Sequence, residues 1–255
     1  MSTLIIFEHP LNERIRTFLR LEHLFERLDH FVHPFDPSAT RVAIDALLDI
    51  AAITARSDIK HEILKELDRH LNNLNRLANK PGVDPGALEQ VLGDLDDAID
   101  GVQRIDGPIG QIVREDDFLK AIAQRSSIPA GTCSFDLPHY HFWLIQPPEM
   151  RQARFAHWLH DLTPAIGAIQ LALSLVRGSA SSRRVLAEGG FFQESLNPDA
   201  LAQMLRIGLD ASAALYPEIS GHKNRFSIRF MAVESNGRPS QRADDVHFRL
   251  TCCVL

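Results

Sequence analysis

Hydrophobic residues alternate strictly with basic or polar ones from residue 225 to residue 230, a pattern that fits only one kind of local structure. Phe226, Ile228 and Phe230 occupy the even positions. The odd positions up to 229 are basic or polar, namely Lys223, Arg225, Ser227 and Arg229. Side chains on a strand point alternately to its two faces. The pattern therefore predicts a half-buried strand with one face in a core and a basic face suited to an anion.

The middle of the chain shows the helical period instead. Asn12 is placed to cap a helix that runs to about His30. Asp58 and Asp84 are placed to cap two longer helices, and the segment 80–82 between these helices contains proline and glycine. Two long helices joined by so short a turn predict an antiparallel hairpin.

Strands are predicted near both ends of the chain. Leu4 to Phe7 is interpreted as a buried strand, and Ser134 to Ile145 as a long strand that contains Pro138. We therefore predict an α+β fold with an antiparallel sheet assembled from N- and C-terminal segments. The predicted helical domain comprises 11–130 and 149–178, and the predicted β domain comprises 1–10, 131–147 and 185–255.

Composition limits the classes of function. The chain has 255 residues, of which 45% are hydrophobic and 24% charged, and a formal net charge of -6. This acidity argues against non-specific nucleic-acid binding, which needs net positive charge. The sequence contains no run of about 18 apolar residues, so no membrane-spanning helix is predicted. The N-terminus lacks the features of a signal peptide. Three cysteines without framework spacing predict reduced thiols in a cytoplasmic protein.

Motifs for catalysis and for metal binding are weak. The sequence contains neither a Gly-x-Ser-x-Gly nucleophile pattern nor a phosphate-binding glycine loop. His139 and His141 would point the same way on a strand, which makes a two-ligand metal site the rival hypothesis. No third ligand is evident, so we predict no catalytic residue, no metal and no cofactor.

Two basic features are candidate binding surfaces. The first is the basic face of the strand at 223–231, and the second is a stripe on the first helix: Arg16, Arg20, His23 and Arg27. Each also has a structural explanation, because solvated helix faces and the open side of a sheet commonly carry charge. A binding role for the strand favours an anionic peptide, since guanidinium groups pair with carboxylates in a bidentate way. A nucleic-acid role is the third hypothesis.

Several uninterrupted blocks resemble the ZapD family of proteobacterial cell-division proteins, which associate with the Z-ring. The blocks lie at 7–13, 64–69, 126–137 and 215–226. The resemblance runs nearly end to end, is loosest at 30–55 and 180–200, and includes the adjacent cysteines near the C-terminus.

The resemblance implies a non-enzymatic, cytoplasmic homodimer that acts at mid-cell. It implies binding to the acidic C-terminal tail of the tubulin-like GTPase FtsZ and bundling of FtsZ filaments, which would stabilise the Z-ring at the division septum. The positions that match the family's charged contacts are Arg20, His141, Arg225 and Arg229; further basic candidates are Arg16, Arg56 and Lys223. Family members can carry arginine where this chain has Asp117, which puts a filament contact at that corner in doubt.

Overall fold

The computed structural model describes most of the chain. The described residues are 3–33, 36–56, 58–78, 80, 82–197, 201–222, 225–234 and 237–254. The chain divides into two compact units. The first, called here the β-rich unit, comprises Met1–Leu19 and Leu173–Leu255, and the second, the helical unit, comprises Arg20–Ala172.

Helices and antiparallel strands are both present, which confirms the predicted α+β class. The helices within the described ranges are α1 (Glu13–Val32), α2 (Pro37–Thr54), α3 (Ile59–Asn75), α4 (Pro85–Gln103), α5 (Gln111–Glu115), α6 (Asp117–Ser126), α7 (Pro138–Leu144), α8 (Pro148–Trp158) and α9 (Thr163–Gly178). The strands are β1 (Leu4–Pro10), β2 (Arg183–Ala187), β3 (Phe191–Ser195), β4 (Met204–Asp210), β5 (Leu215–His222), β6 (Arg225–Val233), β7 (Pro239–Gln241) and β8 (Val246–Cys253).

Side-chain caps fix where the early helices begin. The Asn12 side chain accepts a hydrogen bond from the Ile15 amide at 2.9 Å, as predicted. Asp58 and Asp84 cap α3 and α4, also as predicted. The Lys60 ammonium group at the start of α3 donates to the Ile105 carbonyl, just beyond the end of α4, at 2.6 Å. The two helices are therefore antiparallel, which confirms the hairpin.

The predicted strand from Ser134 to Ile145 is wrong, because this segment contains α7 and lies within the helical unit. Pro138 occupies the first turn of that helix, where its fixed φ and missing N–H carry no penalty. Tyr140, Trp143 and Leu144 are buried at helical spacing. Segment 131–147 is consequently not part of a β domain.

The β-rich unit is a sandwich of two antiparallel sheets. One sheet has the strand order β1-β4-β8-β2, and the other has the order β3-β6-β5 with β7 also paired to β6. Apolar residues from both sheets meet between them, among them Ile207 on β4, Phe230 on β6 and Phe248 on β8. The Phe230 and Phe248 rings lie 4.9 Å apart, centroid to centroid. The inward-facing side chains of β6 pack in this core, which fixes the position of the strand.

The predicted first strand is present, but the prediction that it is buried is wrong. Among the described strands, β1 pairs with β4 alone and forms an edge of its sheet. Leu4, Ile5 and Ile6 have exposed fractions of 38%, 43% and 45%. An edge strand lacks a neighbour on one side, so its apolar residues are less covered than those of a central strand.

Candidate functional site

The alternation on β6 is confirmed by burial. Phe226, Ile228 and Phe230 are at most 1% exposed, whereas Arg225 and Arg229 are exposed. The two cations lie four residues apart on one strand. At about 3.3 Å per residue, their Cα atoms are about 13 Å apart.

The strands on either side of β6 complete this outward face. Arg229 lies opposite Phe191 on β3 and Glu218 on β5, while Arg225 lies opposite Ser195. Directly opposed residues of antiparallel strands project to the same face. We call this outward surface the β6 face. It carries two arginines, Arg225 and Arg229, and beside them an exposed aromatic ring and one carboxylate. Phe191 and Glu218 were not predicted as members, because strand register cannot be deduced from the sequence of β6 alone.

Both arginines on the β6 face are available to a partner. Within the part of the chain that the structure describes, no ion pair engages the guanidinium group of either Arg225 or Arg229. Arg183 and Arg206 of the same unit, in contrast, pair with Glu194 and Glu8. Lys223, the third predicted cation, lies outside the described residues.

Arg16 belongs to the same unit but is already engaged. Its guanidinium group donates to the Glu13 carboxylate at 3.1 Å. Burial lowers the pKa of His9, and the nearby Arg16 charge lowers it further. His9 in turn lies close to β5, since a Cβ atom on Gly221 would be 3.4 Å from the His9 ring. Arg16 thus adds positive charge to the region where β5 ends.

Arg20, Arg56 and His141 belong to the helical unit instead. All three are exposed, Arg20 on α1, Arg56 just after α2 and His141 on α7. The predicted residues therefore fall into two sets, one in each unit.

The pairing of His139 with His141 is corrected by the helical structure of α7. Residues two apart on a helix point about 200° from each other, so the two rings cannot share a ligand as they would on a strand. The His139 ring packs edge-on against Phe118, with centroids 4.9 Å apart. The residues that the structure describes contain no group of three or more His, Cys, Asp or Glu that could hold a metal ion.

Asp117 begins α6 and is almost fully exposed. Its carboxylate pairs with the Lys120 ammonium group at 3.0 Å. The preceding residue, Asp116, is the cap of α6 and also accepts a hydrogen bond from the Trp158 indole at 2.9 Å. Burial raises the pKa of Asp116, but these hydrogen bonds and the Arg154 charge outweigh burial and lower it overall. The contacts of Asp116 thus fix the start of α6, and Asp117 faces solvent there.

Among the described residues, no single helix is long and apolar enough to span a membrane, although α8 and α9, taken together as a pair bent by 66°, are so by length and composition.

Comparison with known proteins places the chain in a family. A model of the ZapD family, described as a cell division protein, matches residues 19–229. The chain is 43% identical to the cell division protein ZapD of Methylococcus capsulatus over 255 residues, which is 100% of both chains. It is 38% identical over 251 residues to the ZapD proteins of Aromatoleum aromaticum and Ralstonia pickettii, with 98% of this chain and 98% and 99% of theirs covered. The chain belongs to the ZapD family of cell division proteins.

Proposed function

We propose that this chain is a non-enzymatic adaptor of the bacterial division ring. In this proposal the β6 face binds the acidic C-terminal tail of FtsZ, and a homodimer with two such faces cross-links FtsZ filaments at mid-cell. The observation that carries the proposal is the pair of exposed arginines, Arg225 and Arg229, which have no ion-pair partner in the described chain. Membership of a cell-division family supports the same conclusion.

The chemistry of the β6 face suits an extended acidic peptide. Guanidinium groups bind carboxylates through two parallel hydrogen bonds, and these bonds are stronger than neutral ones. Phe191, 40% exposed beside Arg229, offers an apolar contact to the same peptide. Glu218 would disfavour a second carboxylate next to it, and so restricts where the acidic groups of the peptide can lie.

Arg20, Arg56 and His141 supply a second basic surface in this proposal. A filament with many tails offers many binding sites, and two faces on one dimer gain avidity from binding two tails at once. Contacts of the helical unit with the filament body would add to that avidity.

Sedimentation of bundles tests the proposal. FtsZ polymerised with GTP is mixed with this protein and centrifuged at low speed, once with full-length FtsZ and once with FtsZ that lacks its C-terminal tail. We expect pelleting only with the full-length form. Pelleting that is equal in the two cases would contradict tail recognition, and a lack of pelleting in both would contradict cross-linking.

A charge-reversal pair locates the site. We expect Arg225→Glu to weaken binding to the tail more than Arg27→Glu, because Arg27 lies on α1, 4.0 Å from the Asp49 carboxylate, and outside the β6 face. Binding is measured with a fluorescent tail peptide. Affinities close to wild type in both variants would rule out the assignment of the β6 face.

A further inference from the structure

A pocket of about 500 Å³ lies in the helical unit, between the end of α2, the start of α3, the turn before α5 and α5 itself. Its volume falls within the range of about 300–1,000 Å³ that is typical of small-molecule sites. Among the described residues, none that is assigned to FtsZ binding lines it, although Arg56 directly follows one lining residue. The lining includes Thr54, Ala55, Asp58, Lys60, Pro108 and Arg114.

The guanidinium group of Arg114 is held in this pocket by one of its three nitrogens. Nη1 donates to the buried Thr54 hydroxyl at 3.0 Å and to the Ile109 carbonyl at 2.8 Å. The other two nitrogens, Nε and Nη2, have no hydrogen-bond partner among the described residues and are accessible to solvent. These two nitrogens form one edge of the planar group, the edge that donates two parallel hydrogen bonds to an oxyanion. The anchored side chain therefore presents an unoccupied bidentate donor.

The pocket contains a second cation, and neither cation has a counter-ion. The Lys60 ammonium group donates only to neutral acceptors, the carbonyls of Gln103 at 3.3 Å and Ile105 at 2.6 Å. Both Lys60 and Arg114 are partly buried, and no ion pair engages either of them in the described part of the chain. Charges removed from water are ordinarily paired. Two unpaired cations in one pocket of a chain with formal net charge -6 therefore point to an anion from outside the protein.

Asp58 in the lining limits how much negative charge the anion can carry. This exposed residue caps α3, and its Oδ1 accepts a hydrogen bond from the His61 amide at 3.1 Å. Its negative charge repels a doubly charged phosphate about twice as strongly as a singly charged carboxylate at the same distance. Ala55 and Pro108 add apolar surface to the lining, which suits the methylene groups of an organic acid. The pocket thus favours a carboxylate over a phosphate.

We propose that this pocket binds a carboxylate group. Nε and Nη2 of Arg114 donate to its two oxygens, the Lys60 charge adds attraction, and the methylene groups that carry the carboxylate lie against Ala55 and Pro108. The group belongs either to a free small organic acid or to an acidic side chain of a protein partner. The pocket takes no residue from the β6 face, so the proposal holds whether or not that face binds FtsZ.

Isothermal titration calorimetry of the full-length protein tests the proposal. The probes are butyrate, succinate and a glutamate whose α-amino and α-carboxyl groups are blocked, with inorganic phosphate for comparison. We expect saturable one-to-one binding of at least one carboxylate probe, and weaker binding of phosphate. Arg114→Lys keeps the charge but removes the two parallel donors, so it should weaken carboxylate binding by about tenfold or more.

A second variant keeps the test decisive if Arg114→Lys does not fold. Asp58→Asn keeps a good helix cap but removes the repelling charge, so it should strengthen carboxylate binding about threefold. The matched control Asp68→Asn removes an equal charge from the exposed surface of α3 and should bind like wild type.

The pattern of binding identifies the source of the carboxylate. Binding of butyrate or succinate without the blocked glutamate supports a free organic acid, and binding of the blocked glutamate alone supports a protein side chain. Three results would overturn the proposal. They are a lack of saturable binding by every carboxylate probe up to about 10 mM, tighter binding of phosphate than of any carboxylate, and unchanged affinity in both Arg114→Lys and Asp58→Asn.

Discussion

Arg225 and Arg249 are matched side chains on the central strands of opposite sheets. Both are exposed, and no ion pair engages either of them in the described chain. If the β6 face binds the acidic tail, Arg225→Glu should lower tail affinity by about tenfold or more, because an attractive charge contact becomes a repulsive one. Arg249→Glu changes the net charge equally and should have little effect. Fluorescence anisotropy with a tail peptide measures both, and equal losses would indicate non-specific attraction.

Gly221 on β5 gives a second prediction about a single residue. A Cβ atom there would lie 2.7 Å from Leu11 Cδ2 and 3.4 Å from the His9 ring. We expect Gly221→Ala to lower the free energy of unfolding by about 1 kcal/mol or more, because the Leu11 and His9 side chains must be displaced. The control is Gly93→Ala on α4, where nothing lies within 4 Å and alanine should stabilise the helix. Thermal unfolding that shows equal shifts for both variants would contradict this account.

At the scale of the element, the Glu8 carboxylate adds side-chain contacts to the backbone pairing of β1 with β4. Glu8 accepts hydrogen bonds from Arg177 on α9 at 2.8 and 2.9 Å, and from Arg206 on β4 at 2.9 Å. Burial raises the pKa of Glu8, but the two arginines outweigh burial and hold it below its ordinary value of 4.5. The stabilisation from Glu8 is therefore complete well above pH 4.5 and is lost as the pH falls through the lowered pKa.

We expect Glu8→Gln to lower the free energy of unfolding at neutral pH by about 1–3 kcal/mol, because charged hydrogen bonds are lost. The difference from wild type should shrink as the pH falls below 4.5, where the wild-type carboxylate itself becomes protonated. Denaturant unfolding at several pH values measures this. The control is Glu89→Gln, on the exposed surface of α4, where the described chain shows no ion pair. A difference that stays constant down to acid pH would show that Glu8 acts through packing instead.

The sequence predicts those elements whose hydrophobic pattern extends over many residues or follows one period strictly. The alternation around Phe226 and Ile228 predicts β6 correctly, and with it the exposure of Arg225 and Arg229. Helix α7 failed as a prediction because seven residues allow barely two turns, and an apolar run that short fits either period. β5 went unpredicted because Pro217 and Gly221 interrupt its pattern.

The candidate site was predictable in its charges but not in its neighbours. Phe191 and Glu218 join the β6 face through the pairing of β3 and β5 with β6, and pairing is a long-range property.

The whole molecule, as proposed, acts through two faces on one dimer, and that arrangement predicts how bundling depends on concentration. A bivalent cross-linker bundles filaments most strongly when faces and tails are similar in number, because bundling needs both faces of a dimer to be bound. At a large excess of this protein each tail binds a separate dimer, so light scattering by FtsZ bundles should rise and then fall. Size-exclusion chromatography with light scattering should give twice the chain mass of 28.6 kDa. Scattering that only rises to a plateau would argue for a different mode of bundling.

Salt dependence tests the same assembly by a different route. Exposed charge pairs are screened at high ionic strength, where the Debye length falls from about 10 Å at 0.1 M to about 3 Å at 1 M. We expect tail affinity to fall steadily as sodium chloride increases, whereas the fold of the unliganded protein should be little affected. Affinity that is independent of salt would assign the binding energy to an apolar contact such as Phe191.

Because β6 lies between β3 and β5, the spacing of the two arginines on the proposed face is fixed. Hydrogen bonds on both sides fix the backbone of β6, so the separation of about 13 Å between Arg225 and Arg229 is set by the sheet rather than by side-chain flexibility. An extended peptide advances by nearly the same amount per residue, and its matching carboxylates are therefore four positions apart. Tails of different sequence should bind equally well as long as they keep that interval and place no further carboxylate beside Glu218.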